Sequence, residues 1–426
     1  MSIVNGFQEE FGNVLKKKNY VENKLMSVGY KYCYDQIKIP LLEYSTSFDE
    51  KIVGSSPWPE WNSKGIFNLK IYDYLNSYEE QPTIQNVLLI PEGTTSVTRW
   101  LGDKMNNNDY YFPIKMFYNL ECYRNELISE LTDIKKREFK QFGYEILGTD
   151  CIQSDCEILM LVFESLISLG IKKENICIRI NDISIYKMLC EESGINHEES
   201  IDLKEKLDYL AECKAGKHPE KYNDTLKLIY NYLNKYNLNK EIYIKWELLL
   251  KNNSGTLDDN MYKTFGNKYY KKFKNLMLLK ENFELKNENI YIDLCVIRSH
   301  EYYTGISFEV DVNYEDKHFI EIAGGGRFDR LVSNFLNDKK NIVPCTGFAF
   351  GTERVVDMLE QLNLYKNDDL VIQYDFSNCN HYNFPKDDSI NSYFLLHEEL
   401  KYNDKINIYI ANNIIGENND KQEKCN

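Results

Sequence analysis

The chain has 426 residues, 43% of them hydrophobic, and a formal net charge of −15. That length holds two or three domains and a sizeable core. The acidic balance disfavours nucleic-acid binding through bulk charge but leaves a local basic patch open, and no apolar run reaches the roughly 18 residues of a membrane-spanning helix. The start, MSIVNGFQEEFGNVLKKKNY, lacks the basic-then-apolar pattern of a secretory signal. The 11 cysteines are odd in number and scattered, without CxxC or Cys/His zinc spacing. Together these features predict a cytoplasmic protein with reduced thiols and no membrane association.

Taken in order, residues 7–29 carry apolar side chains at helical spacing, with Gly29 as the expected stop. A strand is predicted over 30–39, ending at Pro40. Residues 87–90 are apolar and lead into Pro91-Glu92-Gly93-Thr94, a strand end followed by a helix. A turn with a helix cap accounts for that piece; equally, Glu92 and Thr94 at a strand end can grip an ammonium group.

Residues 121–148 read ECYRNELISELTDIKKREFKQFGYEILG. Both arms alternate aromatic or branched residues with polar ones, so a hairpin is predicted. Arg124, Glu126, Arg137, Gln141 and Glu145 crowd this hairpin. Such a face is costly to bury unless a polar ligand meets it, so it is either solvated or a binding floor.

From 149 to about 185, helix and strand patterns alternate. Residues 186–288 are dominated by charged amphipathic helix with no catalytic constellation, and read as an inserted helical subdomain. Chemistry resumes at 291–310, where an apolar strand is expected to deliver Arg298, followed by Tyr302-Tyr303-Thr304-Gly305. Gly324-Gly325-Gly326 permits close backbone approach or a tight turn. Finally, TGFAFGTER at 346–354 is a strand–glycine–helix join with Glu353 and Arg354 in the first helical turn, a position suited to anions. The predicted division is a core at 1–185, the helical insertion at 186–288, more core at 289–360, and an extension at 361–426 that includes a helix at 389–401 and a disordered end.

PEGT, RNE…REFKQFGYE, RxxxYYTG with GGGRFD, and GFAFGTER occur in that order. The set resembles the signature motifs of the histidyl-tRNA synthetase family over roughly residues 5–358. The resemblance implies an α+β fold, with the class II synthetase antiparallel sheet of six or seven strands flanked by helices, in a homodimer. It implies ATP-dependent activation of histidine to an aminoacyl adenylate, with Mg²⁺ accompanying the ATP. By matching position, Arg124, Glu126, Arg137, Phe139 and Arg354 would bind ATP. Glu92, Thr94, Gln141, Glu145, Tyr302 and Tyr303 would bind histidine, and Arg298 would bridge the α-phosphate and the histidine carboxylate. Arg124 and Arg298 would be the catalytic pair. Activation at phosphorus is mainly positioning and charge stabilisation, for which several arginines are suited.

Three features depart from the family. Ile90 stands where the histidyl enzymes have an arginine before Pro-Glu-Gly-Thr. The hairpin loop at 127–136 carries Glu130 and Asp133 where phosphate-binding residues are usual, and the tail after 360 is short for an anticodon-binding domain. Three functions stay open: tRNA charging, transfer of histidine to another acceptor, and a non-catalytic regulatory subunit of ATP phosphoribosyltransferase.

Overall fold

The computed structural model describes residues 3–54, 64–78, 80–132, 134–252, 254–284, 289–298, 301–314, 317–364, 371–373 and 409–411. The expected helix at 389–401 and the expected disordered end lie outside the described residues. Two compact units are formed, Met1–Leu364 and Tyr365–Asn426. In the second, Val371–Gln373 pairs antiparallel with Tyr409–Ala411.

In the first unit the strands are β1 (Asp35–Gln36), β2 (Leu42–Tyr44), β3 (Asn68–Asp73), β4 (Thr83–Leu89), β5 (Ile114–Tyr123) and β6 (Glu138–Leu147). They continue as β7 (Ile176–Asp182), β8 (Asn289–Ile292), β9 (Ile306–Tyr314), β10 (Lys317–Arg327) and β11 (Cys345–Gly351). The helices are α1 (Asn13–Lys31), α2 (Glu50–Val53), α3 (Gly93–Asn106), α4 (Ile152–Ser168), α5 (Ile183–Ser193) and α6 (His197–Ala215). After them come α7 (Tyr222–Leu233), α8 (Lys240–Lys251), α9 (Asp259–Phe265), α10 (Asn267–Glu284) and α11 (Thr352–Gln361). The run from α5 to α10 is helical among the described residues and occupies the stretch read as an insertion.

The main sheet has eight strands in the order β1-β5-β6-β11-β10-β9-β7-β8. Its centre is antiparallel, as expected, but β1 pairs parallel with β5 and β8 parallel with β7 at the two edges. A second sheet has the order β2-β4-β3. The strand expected over 30–39 narrows to the two-residue β1.

Period-two alternation organises the main sheet. Phe142, Tyr144 and Ile146 of β6, Phe348 and Phe350 of β11, Phe308, Val310 and Val312 of β9, and Ile176, Ile178 and Ile180 of β7 all enter one core. The same core takes Val21, Leu25 and Val28 from α1 and Ile158, Leu159 and Val162 from α4. Each such side chain contributes about 2 kcal/mol by leaving water. A second core gathers Met116, Tyr118 and Leu120 of β5 with Val97 and Leu101 of α3.

Gly29 does not stop α1, which runs on to Lys31. A Cβ there would lie 2.7 Å from the Phe117 ring, so the glycine lets the helix sit close on β5. The glycines at 324–326 are likewise no turn but part of β10. A Cβ on Gly325 would lie 2.2 Å from the Gly347 carbonyl oxygen and 2.4 Å from Phe348 Cβ. Gly325→Ala is therefore expected to lose about 3 kcal/mol through overpacking against neighbouring backbone. Gly194→Ala, strained at φ +69° but with open space around the added methyl, should lose about 1 kcal/mol. Thermal denaturation of the two variants checks the order; equal losses would contradict the packing account.

Candidate functional site

The alternation that fills the core leaves a polar face on the other side of the sheet. Registers Glu145↔Gly347, Gly143↔Ala349 and Gln141↔Gly351 join β6 to β11. Gly326↔Gly347 and Gly324↔Ala349 join β11 to β10. Gly324↔Glu309 and Gly326↔Ser307 join β10 to β9, and Glu309↔Arg179 joins β9 to β7. Small residues therefore line the middle of this face, and long polar side chains from neighbouring strands lie across them.

Above this floor is a cavity of about 580 Å³. Glu92, Thr94, Arg124, Glu126, Phe139, Gln141, Arg298, Tyr302, Tyr303 and Arg354 all line it. The three guanidiniums thus face one space. Glu145 lies just beneath the lining, fully buried, with Oε1 accepting from the Thr94 hydroxyl at 2.8 Å. Its Oε2 has no hydrogen-bond partner among the described residues. A Cβ on Gly347 would lie 1.5 Å from that oxygen, so only glycine leaves room for the carboxyl. Arg137 is not among the lining residues. Its Nε and Nη2 donate to the Glu126 carbonyl at 3.1 and 3.0 Å, and Nη1 donates to the Asn5 carbonyl at 3.3 Å.

The elements explain how each group is held. Glu92 caps α3, its two oxygens accepting from Thr94 N and Thr95 N at 2.7 Å each. The cap is thus Glu92 itself, one of the helix-start devices that satisfies otherwise orphaned N–H groups. Gln141 Oε1 accepts from Gly93 N at 3.1 Å, tying β6 to the start of α3. Arg124 lies just past the end of β5, donates Nε to the Pro91 carbonyl at 3.2 Å, and stacks 4.8 Å from the Phe139 ring centroid. Glu126 pairs with Lys135 at 3.0 Å across the hairpin loop.

Arg298 arrives differently from the expected strand. β8 stops at Ile292, and residues 293–298 form a turn and loop. Asp293 accepts from Cys295 N at 3.0 Å, while Asn181 Nδ2 donates to the Leu294 and Val296 carbonyls at 3.2 and 3.1 Å. These contacts hold the loop where Arg298 sits at φ +56°, a strained value typical of functional positions. Nη1 of Arg298 donates to Glu309 at 3.2 Å, and a Cβ on Gly324 would lie 2.5 Å from Arg298 Cζ. The guanidinium thus lies flat over bare backbone. Burial disfavours its charge, yet Glu309 and other nearby anions outweigh burial and keep it firmly cationic. Arg298 Nε has no acceptor among the described residues.

Arg354 is in the first turn of α11, half exposed. Its Nη1 donates to the Glu321 carbonyl at 2.8 Å and lies 3.6 Å from that residue's carboxylate. Burial would raise the Glu321 carboxyl, but Lys217, Arg354 and Arg298 outweigh it and bring it below the usual range.

Sequence reasoning missed Glu309 and Glu321 of the floor, and Asp208, Glu212 and Lys217, which the helical stretch contributes to the cavity. A signal existed for the first. Glu309 and Asp311 recur at period two in the otherwise apolar ISFEVDV, which marks a strand with one charged face. The helical residues gave none, since their charges look like any solvated helix face.

A family model described as histidyl-tRNA synthetase matches residues 79–355. The chain belongs to the histidyl-tRNA synthetase family. Within it, the histidine–tRNA ligase of Methanococcus aeolicus is 29% identical over 348 residues, covering 80% of this chain and 72% of that protein. The ATP phosphoribosyltransferase regulatory subunit of Clostridium kluyveri is 27% identical over 366 residues, covering 84% and 83%. Among solved structures, an ATP phosphoribosyltransferase regulatory subunit/histidyl-tRNA synthetase from Bacillus halodurans superposes with TM-score 0.62 at 20% identity, covering 84% of this chain and 83% of that one. Histidyl-tRNA synthetase from Nostoc sp. gives TM-score 0.62 at 18% identity, covering 86% and 76%. At these identities the structural likeness bears on the fold, which is the family's antiparallel sheet flanked by helices.

Class II synthetases use ATP, generally with Mg²⁺. Among the described residues no group of three or more His, Cys, Asp or Glu is placed to hold a metal ion. Glu126, Glu309 and Glu321 face lysine or arginine instead. Among the described residues there is therefore no protein cage for Mg²⁺, which commonly binds through phosphate oxygens and water with few protein ligands. Among the described residues no helix is long and apolar enough to cross a membrane.

Burial pushes the Glu145 carboxyl well above its ordinary value of 4.5, and the Thr94 hydroxyl opposes that rise only in part. The folded chain keeps a proton there that the unfolded chain releases above about pH 4.5, so this group lowers stability as pH rises through that value. Glu145→Gln removes the titration. The melting temperature of the variant relative to the parent should accordingly be higher at pH 7 than at pH 4. An offset that does not change with pH would refute the buried, protonated carboxyl.

Proposed function

We propose that this chain activates histidine with ATP to form histidyl-adenylate and passes the histidyl group to tRNA(His). The observation that carries the reading is the lining of one cavity by Arg124, Arg298 and Arg354, with the buried Glu145–Thr94 pair beneath it. In the reaction a histidine carboxylate oxygen attacks the α-phosphorus and pyrophosphate leaves. No proton need move, so the protein's work is to hold two anions in line and spread their charge. Arg298 faces both reacting groups, Arg124 the α-phosphate, and Arg354 the outer phosphates. Phe139 offers its ring to adenine, and Glu126 accepts from the adenine amino group. Glu92, Thr94 and Gln141 meet the amino end of histidine, and Glu145 with Tyr303 meets the imidazole. A site that hydrogen-bonds both ring nitrogens rejects apolar amino acids strongly, because they leave buried polar groups unpaired. Mg²⁺ would come with the nucleotide. The second sheet leaves Leu42, Tyr44, Leu69, Tyr72 and Ile84 exposed, which supports a homodimer.

A second reading is a histidine-sensing regulatory subunit. The Clostridium relatives support it, as does the hairpin loop, where Lys135 is already paired with Glu126 and Glu130 and so offers less charge to a tRNA phosphate.

ATP–pyrophosphate exchange run with each amino acid, with and without tRNA, separates these readings. Exchange is expected with histidine alone among the amino acids, and its absence would reject activation. Charging of tRNA is expected as well; exchange without charging would point to another acceptor. Arg298→Ala should cut exchange by about a thousandfold with the fold intact, as for loss of a group that stabilises transition-state charge. Glu145→Ala should raise the KM for histidine far more than that for ATP, and equal losses would contradict its imidazole role.

A further inference from the structure

Arg179 does not line the cavity, yet it joins two arginines that do. It sits on β7 in the run ICIRIND, between Ile178 and Ile180 of the apolar core, and is buried on the polar face of the sheet. Its Nη2 donates to Glu309 Oε2 at 2.8 Å, and the other oxygen of Glu309 accepts from Arg298 Nη1 at 3.2 Å. Its Nε donates to Asp311 Oδ2 at 2.6 Å, and Asp311 Oδ1 accepts from the Glu321 backbone N–H at 3.0 Å. The Glu321 carbonyl then accepts from Arg354 at 2.8 Å. The relay therefore runs unbroken from Arg298 through Glu309, Arg179, Asp311 and Glu321 to Arg354.

Two features of this relay are costly to the fold. A guanidinium and two carboxylates are buried together, each ion losing its hydration, where well-packed apolar residues often serve stability equally well. Glu321 is held at φ +54°, where the β9–β10 register breaks between Phe319 and Ala323. A non-glycine residue in that conformation is strained. The bulge turns the Glu321 carbonyl toward Arg354 while its N–H stays on Asp311. Costs of this kind concentrate where geometry is needed for function.

We infer that Arg179 is a positioning residue that sets Arg298 and Arg354 relative to one another, so that both meet a single polyanionic ligand. The inference rests on the reading of the cavity as the ATP site. Glu309 alone would leave Arg298 free to swing about one contact. The fork of Arg179 fixes Glu309 on one side and Asp311 on the other, a geometry lysine cannot reproduce.

The test compares Arg179→Met, Arg179→Lys and the near-isosteric Asp311→Asn in the full chain, with Arg354→Ala as partner for a double variant. Arg179→Met and Asp311→Asn should lower kcat for histidine-dependent exchange at least about thirtyfold with the KM for histidine changed less than about threefold. Arg179→Lys should recover part of that loss. Adding Arg354→Ala to Arg179→Met should cost much less than the product of the single losses, since both remove one arrangement. A kcat within about threefold of the parent for Asp311→Asn, or fully multiplicative losses in the double variant, would overturn the inference. Should Arg179→Met fail to fold, Asp311→Asn and Arg179→Lys carry the same comparison. If the parent itself shows no exchange, the activation reading falls and the relay is judged from crystal structures. Displacement of the Arg298 or Arg354 guanidinium by more than about 1 Å in Asp311→Asn supports it, and unmoved guanidiniums overturn it.

Discussion

The site depends on one kind of contact, between a long side chain and a missing one. The Arg298 guanidinium lies over Gly324, and the Glu145 carboxyl lies over Gly347. Both glycines belong to adjacent strands of an antiparallel sheet whose opposite face is packed with Phe, Tyr, Ile and Val. The core fixes the strands, the strands fix the glycines, and the glycines give the polar groups a flat backbone surface to rest on. Any side chain at 324 or 347 would lift the arginine or the carboxyl from the floor. The same alternation thus supplies stability on one side and a polar cavity floor on the other, and a one-residue slip in register would exchange the two.

The charge balance follows from that floor. A chain with net charge −15 still presents three guanidiniums to one cavity: Arg298 and Arg354 lie against Glu309 and Glu321, and Arg124 against the Pro91 carbonyl and the Phe139 ring. Glu309 divides its two oxygens between Arg298 and Arg179. Burial raises the Glu309 carboxyl, and the two arginines act against that rise. Arg298 keeps a buried Nε without an acceptor among the described residues. Bulk charge therefore says little here about what the cavity holds; local geometry decides it.

Much of this was legible in the sequence where a residue's role depends on near neighbours. The β5–β6 hairpin, the strand-to-helix join at Glu353 and Arg354, and the long helical run all follow from periodicity and from glycine placement. What escaped was set by tertiary contact. Gly29 reads as a helix stop but serves an approach to Phe117. The triple glycine allows a close approach or a turn in sequence; only the tertiary contacts decide for the close approach, with Gly325 against β11 and Gly324 under Arg298. Arg298 seems to end a strand, yet Asn181 and Asp293 bend the chain into a loop before it. Arg137 looks like its neighbour Arg124 in sequence, but it binds backbone carbonyls of the amino-terminal stretch and of the loop. Asp208, Glu212 and Lys217 reach the cavity only because α6 packs over the sheet, and no local pattern announces that.

The ion pairs around the cavity fall into two kinds, and the difference bears on how a ligand can enter. Lys135 with Glu126, and Arg354 with Glu321, involve a cation that is 44% or 50% exposed. Their cations reach solvent although their carboxylates are largely buried, so a polyanion can approach those cations from the cavity. Arg298 with Glu309, and Arg179 with Glu309 and Asp311, are buried, and breaking them would strand a charge in a dry environment. The rim can therefore exchange partners while the floor stays fixed. A phosphate chain entering such a cavity would draw Lys135 from its carboxylates, while the Glu321 carbonyl keeps Arg354, like Arg298, where the sheet holds it. That separation of exchangeable from fixed cations is what a site needs if it is to bind a triphosphate reversibly and yet orient its α-phosphorus.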